Sequence, residues 1–267
     1  MLNFQSKEKY DINDYRKIME MLRGEGGCPW DAVQTHESIR RNMLEEAYEA
    51  VAAIDSGDME NLCEELGDIQ MQVLFHARME EEKGGFNFDD VCDAACRKLL
   101  FRHPHVFGDA AAADAEEALA SWDSMKRQEK GQKTTSKAMS DVAETLPALW
   151  RAEKIQKKAA KVGFDWPDFH GARDKIGEEL KELDEAIEAG EGVEGELGDL
   201  LAACVNLARF LGVDPEQALH GSCDRFVSRF ERMEELAAAA GTELEALSLA
   251  EQDKLWEQAK RELRSAE

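Results

Sequence analysis

A chain of 267 residues is long enough for one large domain or two small ones, either with a substantial core. With 33 Lys and Arg against 57 Asp and Glu, its formal charge of −24 disfavours a broad nucleic-acid or anionic-membrane surface, so a phosphate-bearing ligand has to be received through a metal or local cations. No apolar run reaches the length of a membrane span, and residues 1–10 lack the apolar core of a signal peptide, which makes a cytoplasmic location the expectation.

Ile12, Tyr15, Ile18, Met19 and Leu22 recur at helical spacing and predict an opening helix that Gly24, Gly26 and Gly27 stop. After a turn through Cys28-Pro29-Trp30-Asp31, helices are predicted over 37–55 and 58–83, with Gly57 between them, as a helical hairpin. Asn87 or Asp89 can cap a further helix through Arg102. His103-Pro104-His105 breaks it as a turn, and helical patterning resumes over 114–130. Residues 131–141 are Gly, Gln, Lys, Thr and Ser with almost nothing apolar, the composition of a flexible connection. A linker over 131–145 is therefore expected to divide an amino-terminal domain, 1–130, from a carboxyl-terminal domain, 146–267. Beyond it lie a predicted helix over 146–162 with a solvated basic face, a turn over 163–167, a helix pair within 175–209, and helices over 216–240 and 249–263. No segment alternates with the period of a strand, so the fold class is all-α, two tandem helical domains. The six cysteines show no C-x-x-C spacing and mostly sit in apolar helical patterns, where they read as reduced core residues.

The chain is organised around the pair within 175–209, where Glu178-Glu179-x-x-Glu182 is followed by Glu196-x-x-Asp199. Residues three or four apart share a helix face, so Glu179 stands with Glu182 and Glu196 with Asp199. Ile176, Leu180, Leu183 and Ile187 form an apolar stripe beside the first pair. Leu197, Leu200, Leu201, Cys204, Val205 and Ala208 predict a broad buried face beside the second, with Asn206 on the carboxylate edge. The two acid pairs are expected to meet across a helical hairpin. Carboxylates so gathered repel one another unless protons or a cation neutralise them, and an oxygen-only donor set suits Mg²⁺, or Mn²⁺ in its place.

The first half repeats this pattern as Glu45-Glu46-x-x-Glu49 and Glu65-x-x-Asp68, with Gly67 and Arg78 in the places of Gly198 and Arg209. Lys98-x-x-x-Arg102 echoes Arg225-x-x-x-Arg229, and Trp122-x-x-x-Lys126 echoes Trp256-x-x-x-Lys260. The copies differ where Asn206 of the second faces Phe75 of the first: an amide can bond a base or a sugar and a phenyl ring cannot. From spacing alone, Asn206 reads equally as a backbone-satisfying amide, Glu178 as an exposed helix residue, and Trp256 as core.

These acidic motifs, with Cys28-Pro29-Trp30-Asp31 and Arg102-His103-Pro104-His105-Val106-Phe107, closely resemble the tandem-domain bacterial MazG nucleoside triphosphate pyrophosphohydrolases over nearly the whole chain. The resemblance implies dimerising all-α domains and Mg²⁺-dependent hydrolysis of nucleoside triphosphates to a monophosphate and pyrophosphate. It places metal ligands at Glu179, Glu182, Glu196 and Asp199, and substrate contacts at Lys175, Arg225, Arg229, Trp256 and Lys260. Arg225 stands where Lys is also expected in the family. Glu178 is the candidate for orienting or deprotonating the attacking water. The amino-terminal acids Glu46, Glu49, Glu65 and Asp68 form a complete second set, although in tandem members the carboxyl-terminal domain is usually held to be the active one.

A nucleotide-binding regulator that holds Mg-NTP without turning it over is the alternative. A di-iron bundle fails for want of E-x-x-H in either second motif, and a purely structural helical dimer predicts indifference to chelation. The six histidines show no convergent metal spacing and receive no role.

Overall fold

The structure is a computed structural model that describes residues 4–264; the ends of the stretches read above, 1–3 and 265–267, lie outside the described residues. The described residues contain helices and no strand, as the all-α reading expects. They divide into two compact units, 1–126 and 127–267.

In the first unit, α1 (Ile12–Arg23), the single turn α2 (Pro29–Ala32), α3 (His36–Ser56), α4 (Met59–Glu81), α5 (Phe88–Arg102) and the short α6 (Pro104–Phe107) precede α7 (Ala115–Glu129), which runs past the end of the unit at Lys126. Their starts follow from local chemistry. Asp11 with Asp14, Thr35 with Ser38, and Asn87 with Asp90 form reciprocal capping boxes that satisfy the first free N–H groups of α1, α3 and α5. Gly57, at φ 71°, ends α3 in the left-handed conformation and lets the chain reverse into α4. Met19, Ile39, Leu74, Phe75 and Met79 make the core of this unit, with Tyr15, Met71 and Phe88 packed on it. The Arg23 guanidinium lies 5.2 Å from the Phe75 ring centre and bonds Glu82 at 2.9 Å, closing α1 onto α4. Truncation by Phe75→Ala empties this core and is expected to cost about 3–5 kcal/mol, read from urea unfolding.

The second unit holds α8 (Thr135–Ser140), α9 (Ala148–Ala160), α10 (Phe169–Ala189), α11 (Val193–Phe210), α12 (Pro215–Ala239), a 3₁₀ turn (Leu244–Ala246) and α13 (Leu249–Arg264). α10 and α11 form the central hairpin, reversed through Gly190 and Gly192 at φ 76° and 78°. Pro215 at the first position of α12, after the Asp214 cap, starts that helix as its sequence position suggests.

Four expectations are corrected. The stretch read as flexible contains α8, capped by Thr134, with Ala138 and Val142 buried and Gln132 bonded to Asp141 at 2.8 Å. Two small apolar side chains suffice to dock a turn of helix that composition presents as polar. His103-Pro104-His105 does end α5, but Pro104 then opens α6 rather than a plain turn. The cysteines are unpaired, yet Cys63, Cys92, Cys96, Cys204 and Cys223 are exposed and Cys28 is half-buried. The same holds for the face predicted to be buried on α11: Val205 is buried, while Leu197 and Leu201 are about half exposed, as are Leu180 and Ile187 on α10. Helical spacing identifies an apolar stripe, but whether another helix of the same chain covers it depends on packing.

Candidate active site

α10 and α11 carry the acids to one place. Glu179, Glu196 and Asp199 each present a carboxylate oxygen within 4.8 Å of the other two, and Glu179 is buried. Glu182, one turn beyond Glu179, is exposed and borders this trio. Desolvation pushes its carboxyl above the usual range, Lys175 opposes the shift, and the charges of Glu179 and Glu178 add to it. Lys175 is the local cation. Its ammonium lies 2.7 Å from both Glu178 and Glu179, and the hydrogen bonds to those two carboxylates hold its pKa above the ordinary lysine value. The residue expected as a substrate contact is therefore docked into the acid cluster, where it offsets part of the repulsion.

The first unit repeats the cluster without that cation. Glu46, Glu49 and Glu65 present oxygens within 4.8 Å of one another, and Asn42 stands three residues before Glu45, the place Lys175 takes before Glu178. The Glu46 carboxyl is pushed up by desolvation and then by Asp68, Glu49 and Glu65, with a hydrogen bond from Gln72 as a partial offset. Glu65 is raised by desolvation and then by Glu49, Asp68 and Glu64, and its Oε2 is shielded from solvent without a hydrogen-bond partner among the described residues. Asp68 thus faces the trio electrostatically without joining it at ligand distance.

The basic residues form a second group. Arg225 and Arg229 on α12 and Lys260 on α13 line a cavity of about 550 Å³. The Arg229 guanidinium lies 5.7 Å from the centre of the Trp256 ring, which also packs on Phe226 at 5.0 Å. The first unit repeats this stack, with Arg102 and Lys126 at 5.1 and 4.7 Å from the Trp122 ring. Among the described residues no ion pair joins Arg225, Arg229 or Lys260 to the acids of α10 and α11. The chain gathers the acids with Lys175, and separately the remaining cations with Trp256.

A third feature escaped the sequence reading. A cavity of about 280 Å³ lies where the end of α9 and the turn after it meet α11, lined by Gln156, Phe164, Asp165, Trp166, Asn206 and Arg209. Asn206 follows Asp199 by two helical turns on the same face of α11, so the cavity opens roughly 10 Å along that helix from the acids. Arg209 pairs with Asp165 at 3.0 Å and donates to Asn206 Oδ1 at 2.8 Å. The corresponding position in the first unit, Phe75, is sealed into the core with Met19. The repeated glycine–tryptophan pairs, Gly27 with Trp30 and Gly163 with Trp166, were the available signal. What they left open was which helix faces the ring.

Trp166 is held by a close approach, because a Cβ on Gly171 of α10 would lie 2.6 Å from its ring. Gly171→Ala is expected to displace the indole, measured as a shift in tryptophan fluorescence emission with the helical circular dichroism retained. Two of the histidines that received no role from spacing meet in the first unit. His36 and His76 stack with ring centres 5.0 Å apart and Nδ1 atoms at 2.7 Å, and His36 Nε2 lies 2.7 Å from Glu80. Forty residues separate the two rings, a relation that spacing does not reveal.

The MazG nucleotide pyrophosphohydrolase domain matches residues 34–107 and again 170–233, stretches that contain both acid clusters. A nucleoside triphosphate pyrophosphohydrolase/pyrophosphatase MazG of Thermotoga maritima is 47% identical over 91% of this chain and 93% of its own length. A nucleoside triphosphate pyrophosphohydrolase of Escherichia coli K12 is 44% identical over 92% and 95%. One of Mycolicibacterium smegmatis is 44% identical over 55% of this chain and 45% of its own.

Proposed function

Since the chain belongs to the MazG nucleotide pyrophosphohydrolase family, we propose that it is a nucleoside triphosphate pyrophosphohydrolase whose turnover resides in the second unit. Water adds at the α-phosphorus, the bond to the bridging oxygen breaks, and a nucleoside monophosphate and pyrophosphate leave, across a broad range of ribo- and deoxynucleotides. The observation that carries this reading is the trio Glu179, Glu196 and Asp199, gathered at ligand distance with Glu182 beside it.

An all-oxygen set of this kind fits a hard divalent cation, and Glu179, Glu182, Glu196 and Asp199 are the residues that would hold Mg²⁺, with Mn²⁺ as a substitute. Bound there, the ion supplies charge neutralisation for the triphosphate and Lewis acidity at phosphorus. The chain's own groups do the rest. Glu178, exposed at the rim and bonded to Lys175, orients water and accepts its proton. Lys175, shared between Glu178 and Glu179, is placed to exchange a carboxylate for a phosphate oxygen. Arg225, Arg229 and Lys260 receive phosphate charge, and Trp256, pinned by Arg229 and Phe226, offers a stacking face.

The first unit is the regulatory or inactive copy. Phe75 fills the space that Asn206 leaves open, and Asn42 supplies no ammonium. The exposed apolar residues Leu180, Leu201, Phe226 and Phe230 support a homodimer that covers them. The cytoplasmic reading accords with six unpaired cysteines and with the lack of any helix among the described residues long and apolar enough to cross a membrane. Incubation with a panel of nucleoside triphosphates and Mg²⁺, with pyrophosphate and orthophosphate detected separately, tests the reaction. Pyrophosphate with monophosphate is expected. Nucleotide binding without product would identify a regulator instead, and orthophosphate would move the cleavage away from the α-phosphorus.

A further inference from the structure

The open end of the first hairpin is closed by a chain of polar groups. α3 and α4 are joined through Gly57 and Asp58, and at the opposite end His36, the first residue of α3, meets His76 and Glu80 near the end of α4. His36 Nε2 lies 2.7 Å from Glu80 Oε1, and a carboxylate only accepts, so that nitrogen carries a hydrogen. Hydrogen bonds from Lys83, 2.9 Å away, and then from His36 hold the Glu80 carboxyl below its usual range and keep it ionised. The tautomer of His36 is thereby set. While the ring is neutral its Nδ1 is a bare acceptor, and the Nδ1 of His76 at 2.7 Å must donate to it.

One added proton reverses this bond without breaking it. His36 becomes an imidazolium between the Glu80 carboxylate and a His76 Nδ1 that now accepts, with the hydrogen of His76 on its Nε2. A second proton leaves two N–H groups facing each other across 2.7 Å, two like charges with no acceptor between them. The pair accommodates no proton or one, and excludes two. In accord with this, desolvation and then the charge of His36 hold His76 below the ordinary histidine value. The other charged groups around the rings keep their charge over about pH 5–8: Glu37 beside His36, Lys83, and Arg23 of α1, which bonds Glu82 at 2.9 Å and the carbonyls of Asp31 and Gln34. Counted from the acidic motifs, the second unit has Phe169, Leu207 and Leu211 at the places of His36, His76 and Glu80, a set with no titratable group.

We propose that Glu80, His36 and His76 form a proton-operated latch that holds the first hairpin shut at neutral pH and releases its open end on acidification, while the second hairpin does not respond. The latch clamps the two helices that bring Glu46 and Glu49 to Glu65, so its release loosens the first unit's acid cluster. The released state takes up one proton more than the closed one. Closure is therefore favoured above the ordinary histidine range and is lost as pH falls through it.

Hydrogen–deuterium exchange of the full-length protein tests this, with rates corrected for the intrinsic pH dependence of amide exchange. Between about pH 7.5 and 5.5 the opening of amides at 40–45 and 76–80 is expected to rise about tenfold, the change produced by one proton taken up with a pKa near 6.5. The matching amides at 173–178 and 207–211 are expected to hold steady. In His36→Phe/His76→Leu, which installs the second unit's residues, the rise is expected to vanish, and contributions of the acids common to both proteins cancel in the comparison. Ring ¹⁵N shifts of the unmodified protein at about pH 6 are expected to show no more than one imidazolium on the pair. Equal opening of the first hairpin at both pH values, or a matching rise in the second, would overturn the proposal. So would a double variant that keeps the rise, or ring shifts that show both rings charged while the amides stay protected. The comparison of the two hairpins within the unmodified protein stands even if the variant does not fold.

Discussion

In the full-length protein, Glu179→Gln is expected to lower pyrophosphate release by about a thousandfold or more, while Glu46→Gln changes it by less than about twofold. Glu179 is the buried member of the second trio and also receives Lys175, so its loss removes a ligand oxygen and the anchor of the cation together. Glu46 holds the same place in the first unit. There the position that Asn206 holds in the second unit is taken by Phe75, packed in a core. Both variants replace a crowded carboxylate with a neutral isostere, which relieves repulsion, so circular dichroism should show the helices retained. Full turnover by Glu179→Gln would remove the metal assignment. Comparable losses in the two variants would show that both copies work.

Removal of divalent cations is the second large effect: turnover should stop, and the protein should lose stability in a manner that depends on pH. The carboxyls of Glu46, Glu65 and Glu182 are all held above their ordinary range by desolvation and neighbouring acids. For an acid whose folded pKa lies above its unfolded value, the folded state keeps the proton longer. The associated stability is present below the ordinary carboxylate range and is lost as pH rises through the raised value. A bound cation replaces that proton and restores what was lost. Melting temperatures with excess Mg²⁺ and with EDTA should therefore differ little near pH 4 and most at pH 7–8, where a hundredfold excess over Kd corresponds to about 3 kcal/mol, or roughly 5–10 °C. Glu65→Gln should narrow the gap. A gap of the same size at both pH values, or none, would mean that the acid clusters hold no cation.

Much of this was legible along the chain because its cause is local. Helical periodicity and the absence of strand alternation gave the all-α class. The pairing of Glu179 with Glu182 and of Glu196 with Asp199 follows from three-residue spacing, and the duplicated motifs announced two related sets of acids. Even the contrast between Asn206 and Phe75 was visible as a difference in chemistry, before one proved to line a cavity and the other to close a core.

The amino-acid sequence by itself determined which side chains share a helix face and which type of ligand they suit, since both depend on neighbours within a turn or two. Only the tertiary structure decided what meets between helices. It brought Gln156 to the carbonyl of Ala202 across 46 residues and His36 onto His76 across 40. It docked α8 through Ala138 and Val142 and left most of the cysteines and half of the predicted apolar faces uncovered. The reason is that burial and cross-helix contact are properties of how rigid helices pack, and a stripe of apolar residues carries no record of which surface, if any, lies against it.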